Sequence, residues 1–385
     1  MEMTIGLLTP EYPHPLCKAS GGIGSSIQNS ARDFVALGHR VVVFVYGQSS
    51  AQVLDDQGVQ LHFIPFKKYA FGGWYFYRKL IQQYVNNCIA REQIQLIEAP
   101  DWTGITAFMR LNAPLVIRFH GTDAYFCYLE GRSQKLKNFL LEKWAMRQAV
   151  AFSSPTYFAA EITQFIFRLK GKNTVIIPNG IRISQFTNPN PTAFESGLIA
   201  YFGTLIRKKG VFELIEVFKQ LLVDQPTARL VLVGADAPDI QSGADSTWHE
   251  LQKNIPAAVL DRIQYTGKIP YEHMQTYIIK AHLCVLPSMA ETQGMVTIEA
   301  MAMQKPVLTS NFGWSAELIE DGISGYCIHP KNHALYVQKI VELMADSQRA
   351  IHMGKAARTR VEQNFDSKKI SIQNSNFYQD IISNF

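Results

Sequence analysis

The segment Pro287–Pro306, with the sequence PSMAETQGMVTIEAMAMQKP, decides the fold of this chain. It follows the apolar run Ala281–Leu286 (AHLCVL), which predicts a buried parallel strand. A short polar loop, Ser288–Gly294, separates that strand from a helix that we expect to begin near Met295 and to end before Pro306. A strand, a glycine-containing loop and a helix N-terminus form an anion-binding site, because the first helical N–H groups lack intrahelical partners and the helix dipole favours negative charge.

Two carboxylates flank this predicted anion site: Glu291 in the loop and Glu299 about one turn into the helix. A carboxylate accepts two hydroxyl hydrogen bonds at once, which suits a sugar or a ribose diol. Since carboxylates repel a neighbouring anion, their presence indicates a ligand with neutral parts beside its anion, as in a nucleotide-sugar. The alternative is structural: Glu299 would complement the helix dipole, and Glu291 would be a solvated loop acid.

The spacing E-x7-E, the glycine three residues after Glu291, and the segment Glu299–Val307 (EAMAMQKPV) resemble a large family of retaining glycosyltransferases. This family, of the family-4 type, is related to glycogen and sucrose-phosphate synthases. The resemblance implies the GT-B fold, an α/β architecture of two Rossmann-like, doubly wound domains that face each other across a cleft. It also implies transfer of a hexose from a nucleotide diphosphate sugar, with retention at the anomeric carbon and without a metal.

The same resemblance implies roles for residues of the central segment. Glu299 would hold the ribose of the donor, and Glu291 would hold the hydroxyls of its hexose. The N–H groups of Gly294, Met295 and Val296 would face the diphosphate. The side chain of Gln293 would line the donor site.

Length and composition restrict the class of protein. At 385 residues the chain is long for one hydrophobic core and sufficient for two domains. No apolar run reaches the roughly 18 residues of a membrane span, and Met3–Thr9 (MTIGLLT) is too short for a signal peptide and lacks a basic start. The five cysteines are scattered without a CxxC or a Cys/His cluster, which indicates neither disulfides nor zinc and suits a reducing cytoplasm. The net charge of +5 suits an anionic substrate or a lipid surface and is too small to indicate nucleic acid.

The start of the chain predicts a βαβ unit with glycines at its turn. We expect a strand at Met3–Thr9, a helix at Ser25–Leu37 and a strand at Val41–Tyr46; Gly21 and Gly22 match the loop whose N–H groups face the donor diphosphate in the resembling family. A dinucleotide site is disfavoured, since the glycines do not fit G-x-G-x-x-G and no acid ends the second strand. No P-loop pattern occurs. A turn that only packs the helix on the sheet is the remaining alternative.

A histidine follows the strand predicted at Leu115–Phe119. Ligands of parallel α/β sheets bind at the carboxyl ends of the strands, so His120 lies where a ligand is expected, with Asp123 in reach of the same pocket. The resemblance places a histidine at this position near the reacting carbon of the sugar. A structural histidine is the alternative.

The segment Phe63–Lys79 (FIPFKKYAFGGWYFYRK) interleaves aromatic residues with lysine and arginine. Three interpretations are open: a platform for acceptor sugars, an amphipathic contact with a membrane surface, or core aromatics with their cations in solvent. The expected partners are therefore a nucleotide-sugar donor and a glycan or lipid-linked acceptor. We expect a cytoplasmic location, and contact with the inner face of the membrane stays open.

A linker divides the chain. Asn188–Thr192 (NPNPT) contains prolines and asparagines without periodicity, and it follows Pro178–Ile181 (PNGI), a segment common at the end of the first domain in the resembling family. We therefore predict an N-terminal domain over residues 1–187 and a C-terminal domain over residues 188–365. By the same resemblance, the helical end of the chain, about residues 366–385, crosses back onto the first domain.

The second half repeats the alternation of strands and helices. After the strand predicted at Leu198–Phe202, the loop Gly203–Gly210 places three cations before a helix, where they are unfavourable unless an anion lies between them. Lys209 matches the lysine of the resembling family, whereas Thr204 stands where that family has an arginine. Either Arg207 replaces that charge, or Lys209 acts with backbone donors alone. A solvated basic loop is the alternative.

The segment Gly267–Pro270 (GKIP) follows another predicted strand. It matches the place where the resembling family contacts the nucleotide base, largely through the backbone, so Lys268 and Ile269 are assigned to base binding. A plain loop is the alternative.

These features together predict a hexosyltransferase. Lys209, Arg207 and backbone N–H groups would stabilise the leaving diphosphate, Glu291 would hold the hexose, and His120 would line the reacting face. We expect no cofactor beyond the nucleotide-sugar co-substrate, for which UDP-glucose is the commonest choice in the family. A GT-B epimerase would share the fold, as would a phosphorylase, whose PLP lysine is not identifiable. A non-catalytic sensor or partner subunit that binds nucleotide-sugar also remains open, because Thr204 replaces the usual arginine.

Overall fold

The computed structural model describes residues 2–17, 21–169 and 171–385. The chain forms two compact units: unit 1 is Met1–Arg182 with Asp366–Phe385, and unit 2 is Ile183–Phe365. The first boundary thus lies at 182/183, whereas the linker composition predicts 187/188. Residues just before the linker already belong to unit 2, because the carbonyl of Gln185 accepts a hydrogen bond from Gln275 at 2.6 Å.

Unit 1 contains, within its described residues, an eight-stranded sheet. Its strands are Thr4–Thr9 (β1), Arg40–Gln48 (β2), Gln52–Asp56 (β3), Val59–Pro65 (β4), Leu96–Pro100 (β5), Leu115–Arg118 (β6), Ala151–Ser154 (β7) and Asn173–Ile176 (β8). The order is β3-β4-β2-β1-β5-β6-β7-β8, parallel except for the β3–β4 hairpin. Both faces of the sheet are covered, since on β2 Val43 belongs to one hydrophobic core and Phe44 to the other.

Helices follow most of these strands. They are Gly22–Ala36 (α1), Gly73–Glu92 (α2), Asp123–Glu130 (α3), Leu136–Gln148 (α4) and Tyr157–Phe167 (α5). Side chains of α2, α4 and α5 fill one core, where Ile81 and Met146 are fully buried. Phe34 of α1 lies in the other core. This two-sided cover explains why the strands are nearly continuous apolar runs.

Unit 2 contains a six-stranded, wholly parallel sheet within its described residues. Its strands are Leu198–Phe202 (β9), Arg229–Val233 (β10), Ile263–Tyr265 (β11), Leu283–Leu286 (β12), Val307–Thr309 (β13) and Tyr326–Cys327 (β14). Its helices are Val211–Asp224 (α6), Thr247–Gln252 (α7), Ala257–Leu260 (α8), Tyr271–Lys280 (α9), Met295–Ala302 (α10), Gly313–Leu318 (α11), His333–Ala345 (α12) and Ser347–Asn364 (α13). The strand order is β11-β10-β9-β12-β13-β14.

The last helix, Ser367–Asn384 (α14), packs on unit 1. Tyr378 lies in the same core as Phe34, and its hydroxyl donates to the buried carboxylate of Glu98 at 2.5 Å. Arg118 bonds Asn374 of the same helix at 3.3 Å. Buried polar contacts of this kind fix the position of the helix, because leaving either partner unpaired in the core is costly.

Several predicted elements differ from the structure. Helix α1 begins at Gly22 rather than Ser25, so that both glycines of the turn belong to the helix start. The strand predicted at Val175–Pro178 is Asn173–Ile176. The β3–β4 hairpin is absent from the prediction, because β3 (QVLDD) is a half-exposed edge strand with little apolar character. Among the described residues, no helix combines the length and hydropathy that crossing a membrane requires.

Candidate active site

The donor-site residues predicted in unit 2 lie where the strand order reverses. Strand β9 pairs with β10 on one side and with β12 on the other, so the loops that follow β9 and β12 lie side by side at the carboxyl edge. Such a reversal is where open parallel sheets bind ligands. The two loops, Gly203–Gly210 and Pro287–Gly294, carry Lys209 and Glu291.

Backbone contacts join the two loops. The carbonyl of Lys208 accepts a hydrogen bond from the N–H of Met289 at 2.7 Å. Gly210 has φ +72°, and a Cβ there would lie 1.9 Å from the carbonyl oxygen of Pro287. Only glycine therefore permits this approach, which holds the basic loop against the E-x7-E segment.

Lys209 and Glu291 form an ion pair across these loops. Glu291 Oε1 also accepts a hydrogen bond from Ser288 Oγ at 3.1 Å. Both charged side chains are mostly buried. The pair thus places a cation and a carboxylate next to each other at the carboxyl edge of the sheet. A ligand can replace the ion pair if its phosphate binds the lysine and its hydroxyl groups bind the glutamate.

Glu299 is held differently. It lies one turn into α10, is 7% exposed, and accepts a hydrogen bond from Tyr271 Oη at 2.6 Å through Oε1. Its other oxygen, Oε2, is buried without a hydrogen-bond partner. Burial raises the pKa of Glu299 to about 7, although the Tyr271 bond acts in the opposite direction. An unpaired buried acceptor of this kind is expected where a ligand hydroxyl binds.

The N-terminus of α10 is open to an anion. Gly294, the N-cap residue, has φ +83°, and no side chain of the described chain caps the helix. A Cβ on Gly294 would lie 2.9 Å from the ring of Trp314, so the backbone approaches that indole closely. Met295 and Val296 follow as the first, half-buried helical residues. Their N–H groups have no intrahelical acceptor and so are available to a phosphate.

Arg207 lies beside this site but is held by another partner. Its guanidinium bonds both oxygens of Asp239, with Nε at 2.7 and 2.8 Å, and stacks 3.9 Å from the ring centroid of Phe212. Burial alone would raise the pKa of Asp239, but hydrogen bonds, above all from Arg207, hold it at about 2. Thr204 offers no charge in compensation, and its carbonyl accepts a bond from Tyr201. Lys209 is therefore the cation that the structure pairs with Glu291.

The remaining predicted donor residues are placed as follows. Gln293 is buried in the loop before α10. Lys268 is exposed and Ile269 half-buried in the loop that follows β11. The carbonyl of the adjacent Gly267 accepts the N–H of Gly234 at 3.1 Å, which ties this loop to the carboxyl end of β10. The loop thus lies at the same edge of the sheet as the Lys209 and Glu291 loops.

In unit 1 the predicted glycine turn is occupied by a side chain of the protein itself. Gly21 is the N-cap of α1, Gly22 begins it, and the N–H of Gly24 donates to Glu11 Oε1 at 2.9 Å. The carboxylate of Glu11 therefore binds the N-terminus of α1, where the sequence predicts a phosphate of the donor. Ser20, which precedes the turn, lies outside the described residues.

His120 follows β6 at the carboxyl edge of the sheet. Asp101, at the end of β5, accepts the N–H groups of His120 and Gly121 at 2.8 and 3.2 Å. Burial, with the charge of Arg118, lowers the pKa of His120 to about 3, so the imidazole is neutral near pH 7. Its Nε2 is buried without a hydrogen-bond partner. A neutral ring with one unpaired nitrogen can exchange a hydrogen bond with a sugar hydroxyl.

Asp123 does not join His120 in a pair of hydrogen-bonded side chains. Its carboxylate contacts Cys127 at 3.6 Å and Asn138 at 3.4 Å, and so faces α3 and α4. Within the described residues, no cluster of three or more His, Cys, Asp or Glu side chains could hold a metal ion.

Four residues that contact the predicted site residues were not predicted from the sequence: Tyr271, Asp239, Ser288 and Glu11. Each acts through a partner, since Tyr271 binds Glu299, Asp239 holds Arg207, and Glu11 binds the start of α1. The sequence offers a signal only for Ser288, which lies three residues before Glu291. The other three contacts span 13 to 32 residues and depend on the tertiary fold.

Comparison with known proteins assigns the family. A sequence model described as Glycosyl transferases group 1 matches residues 185–360, and one described as Glycosyltransferase Family 4 matches residues 20–185. The two matches adjoin and run through most of both units. The chain therefore belongs to the glycosyltransferases of this family, and its two parallel-sheet, Rossmann-like units have the GT-B fold.

Individual relatives are distant. A glycogen synthase of Mycobacterium tuberculosis is 24% identical over 294 residues, which cover 74% of this chain and 68% of that protein. The structure of sucrose-phosphate synthase from Thermosynechococcus elongatus matches with a TM-score of 0.82 at 19% identity over 100% of both chains. That of HepE from Anabaena in complex with UDP-glucose matches with a TM-score of 0.73 at 19% identity over 100% of both chains. At these identities the structural likeness establishes the fold.

Proposed function

We propose that the protein is a retaining, metal-independent hexosyltransferase that uses UDP-glucose as donor. The observation that carries the proposal is the assembly of Lys209, Glu291, Glu299 and the open N-terminus of α10 at one reversal point of the unit 2 sheet. This set offers one cation and free N–H groups for a diphosphate, and two carboxylates for hydroxyl groups. HepE, which shares the fold, was solved with UDP-glucose, and this supports the choice of donor.

The proposed reaction breaks the bond between the anomeric carbon and the diphosphate oxygen. Negative charge grows on that oxygen, and Lys209 with the N–H groups of Gly294, Met295 and Val296 stabilises it electrostatically. The acceptor oxygen forms its bond on the face from which the diphosphate departs. Its proton passes to an oxygen of the leaving group, so no protein base is required.

The two glutamates divide the rest of the donor between them. Glu299, with one oxygen on Tyr271 and the other unpaired, receives a ribose hydroxyl. Glu291 exchanges the Lys209 contact for hexose hydroxyls while Lys209 turns to the diphosphate. In this proposal, Gln293, Lys268 and Ile269 line the sugar and base ends of the donor.

Arg207 has a secondary role in the proposal. Its bonds to Asp239 must break before it reaches a phosphate, and Asp239 would then be a buried carboxylate without its cation. Breaking such a pair is unfavourable. We therefore assign leaving-group stabilisation to Lys209 and the backbone, which is the arrangement that Thr204 at the usual arginine position requires.

Unit 1 would supply the acceptor side. The neutral His120 with its unpaired Nε2 is suited to a sugar hydroxyl. The glycine turn at Gly21 and Gly22 would receive phosphate only if Glu11 left the start of α1. A glycan, a polysaccharide precursor or a lipid-linked saccharide is the proposed acceptor; the likeness to glycogen synthase supports a glycan. We place the reaction in the cytoplasm, at the inner face of the membrane for a lipid-linked acceptor.

A second candidate function has one observation in its favour. Thr204 leaves the β9 loop without one of the two cations that the family resemblance implies, and Arg207 is engaged elsewhere. A non-catalytic protein that binds nucleotide-sugar as a sensor would show these same features.

A thermal-shift panel followed by a turnover assay tests the proposal. UDP-glucose, UDP-galactose, GDP-mannose, ADP-glucose and NAD would be compared on the wild type and on Glu299→Ala. A ligand at 100 times its dissociation constant stabilises the folded state by about 2.7 kcal/mol. A shift with UDP-glucose that is lost in Glu299→Ala supports the donor assignment, and acceptor-dependent release of UDP supports the transferase over the sensor. A thermal shift with NAD alone, or no shift with any of the sugar nucleotides, contradicts both the transferase and the sensor.

A further inference from the structure

An exposed aromatic and basic surface of unit 1 has no part in the donor chemistry. It is built by the N-terminal part of α2, the segment before it, and α4. We name it the aromatic–basic surface; its rings are Tyr69, Trp74, Tyr75, Phe76, Phe108 and Trp144, and its cations include Lys67, Lys68 and Lys137.

The rings form a continuous series. Lys67 Nζ lies 5.5 Å from the ring centroid of Tyr69, and the Tyr69 and Phe76 centroids are 5.7 Å apart. Phe76 contacts Tyr75 at 5.4 Å, and Tyr75 contacts Trp74 at 6.0 Å. The segment that precedes α2 and the first turn of α2 therefore present one connected aromatic layer.

Helix α4 extends that layer. The ring of Phe108 lies 5.6 Å from that of Trp74 and 4.4 Å from that of Trp144. Lys137, at the start of α4, places its Nζ 5.6 Å from the Trp74 ring centroid. Cations therefore lie over rings at both ends of the series, an arrangement that keeps each ammonium group at the polar boundary of an apolar layer.

Aliphatic and phenyl side chains on the same elements are exposed to an unusual degree. Phe71 is 88% exposed and Leu136 is 70% exposed, and Leu140 and Trp144 follow Leu136 on the outer face of α4. Sugars stack on flat aromatic rings but gain little from leucine, so this composition favours hydrocarbon over a glycan. Contiguous exposure of this kind marks an interaction surface.

Charge on the surface has one sign. Residues 66–79 contain no Asp or Glu. The only acid of α4, Glu142, is fully buried, where it accepts the N–H groups of Asp123 and Ala124. Asp123 is the neighbouring acid, and it is engaged by Cys127 and Asn138. An anionic surface would therefore meet lysines without an opposing carboxylate on these two elements.

The aromatic layer is held in place from inside. Arg78 is buried, and its guanidinium donates to the carbonyls of Trp74 at 2.7 Å, Thr103 at 3.0 Å and Gly104 at 3.2 Å. Burying a cation is costly unless such bonds compensate it. The first turn of α2, which carries Trp74, Tyr75 and Phe76, is thus tied to the segment Trp102–Gly104 by a buried cation.

We propose that the aromatic–basic surface docks unit 1 on a bilayer that contains anionic lipid, with the leucines and tryptophans in the headgroup boundary and the lysines at the lipid phosphates. The inference deepens the proposed function and rests on it for its purpose: the surface begins at the carboxyl end of β4, the same sheet edge that carries His120. A docked unit 1 would receive a lipid-linked acceptor at that edge.

Vesicle co-sedimentation tests the proposal with the full chain. Vesicles of phosphatidylcholine alone are compared with vesicles that contain roughly a third phosphatidylglycerol, at low salt and at about 0.5 M salt. We expect binding to the anionic vesicles only, weakened by salt. The variant Lys67, Lys68, Lys137→Ser should lose binding on the order of 100-fold, because each lysine near an anionic surface contributes about fivefold. The matched control is Lys331, Lys355, Lys368→Ser, three exposed lysines outside the surface, which should lose little.

Insertion is measured separately with brominated lipids. Three of the five tryptophans, Trp74, Trp102 and Trp144, lie in or next to the surface, so bound protein should show strong quenching. The variant Leu136, Leu140→Ser should show less quenching at equal bound fraction.

Three results overturn the proposal: no binding of the wild type to anionic vesicles at low salt, an equal loss in the two lysine triples, or binding without quenching. If the protein binds vesicles without quenching and a soluble anionic polysaccharide displaces it from them, the surface would be assigned to a glycan. The UDP-glucose thermal shift is recorded on every variant, and its persistence separates a failed docking proposal from a failed donor assignment.

Discussion

Glu291 and Glu299 are separated by seven residues in one motif, and the fold treats them in opposite ways. Glu291, in a loop, is neutralised by Lys209 and bonded by Ser288. Glu299, in a helix, has no cation, one bond to Tyr271, and one unpaired buried oxygen. A ligand can displace Lys209 from Glu291 and bind that carboxylate in its place. The unpaired oxygen of Glu299 can gain a hydrogen bond from a ligand hydroxyl. In the proposed function both carboxylates would receive neutral hydroxyl groups of one donor, Glu291 those of the hexose after Lys209 has turned to the diphosphate, and Glu299 one of the ribose.

The largest expected effect concerns the cation on the Glu291 side. Lys209→Ala should lower kcat for glucose transfer on the order of 10²–10³-fold, because a positioned charge on the leaving group is removed. Steady-state rates with saturating UDP-glucose measure it. Lys208→Ala is the control with the same change of charge in the same loop, and it should retain most activity. Equal losses in the two variants would contradict the assignment of Lys209.

On the Glu299 side the expected effect is on binding. Glu299→Ala should weaken the binding of UDP about tenfold to 100-fold, because a hydrogen bond to a charged group contributes roughly 1.5–3 kcal/mol. Titration calorimetry with UDP measures the change. Tyr271→Phe keeps the carboxylate and should weaken binding less. If both variants bind UDP as tightly as the wild type, Glu299 does not hold the ribose.

The two glutamates should also be separable by ligand. Glu291→Gln should leave the affinity for UDP near that of the wild type and remove about a tenfold preference for UDP-glucose over UDP, since only the hexose contact is lost. Parallel titrations with the two ligands measure the preference. A matching loss for UDP alone would show that Glu291 supports the nucleotide and would remove the distinction between the two carboxylates.

The smallest effect is a pH dependence that only Glu299 should cause. Its pKa in the free protein is about 7, raised from 4.5 by burial. A ribose hydroxyl donates to the ionised form, so affinity for UDP-glucose should rise about fivefold between about pH 6 and pH 7. Glu299→Gln should bind with a flat pH profile in the same calorimetric titration. An unchanged slope in that variant would place the titrating group elsewhere.

The stability of the free protein should respond with the opposite sign. Because the folded-state pKa of Glu299 is raised, its stabilising contribution is complete below the unfolded value of 4.5 and is lost as the pH rises to about 7. Urea denaturation of the wild type and Glu299→Gln across that interval measures the difference.

The secondary structure of unit 2 was largely predictable. The sequence predicts strands at Leu198–Phe202, Arg229–Val233, Ile263–Tyr265 and Val307–Thr309 and a helix at Tyr271–Lys280, and β9, β10, β11, β13 and α9 have these bounds at both ends. These strands are short apolar runs bounded by glycine, proline or polar residues, and such runs allow little choice of register. In unit 1 the β3–β4 hairpin and the start of α1 were not predicted, because half-exposed, polar elements leave a weak pattern.

The candidate site was predictable in composition but not in its contacts. The residue types and spacings of Glu291, Glu299 and Lys209 indicate a donor site, and the fold brings the loops of the first and third together. Their roles stay predictions. Nothing local to Arg207 indicates Asp239, and nothing local to the Gly21 turn indicates Glu11.

The sequence by itself determined the family, the GT-B fold and the motif on which the proposed donor site rests, because these depend on local patterns and on spacing along one segment. Only the tertiary structure decided which charges are paired, which buried oxygen is left open and which rings reach the surface. The physical reason is that burial and ion pairing depend on residues that the fold brings together from distant parts of the chain. Lys209 and Glu291 lie on loops 82 positions apart, and their environment exists only once β9 and β12 pair.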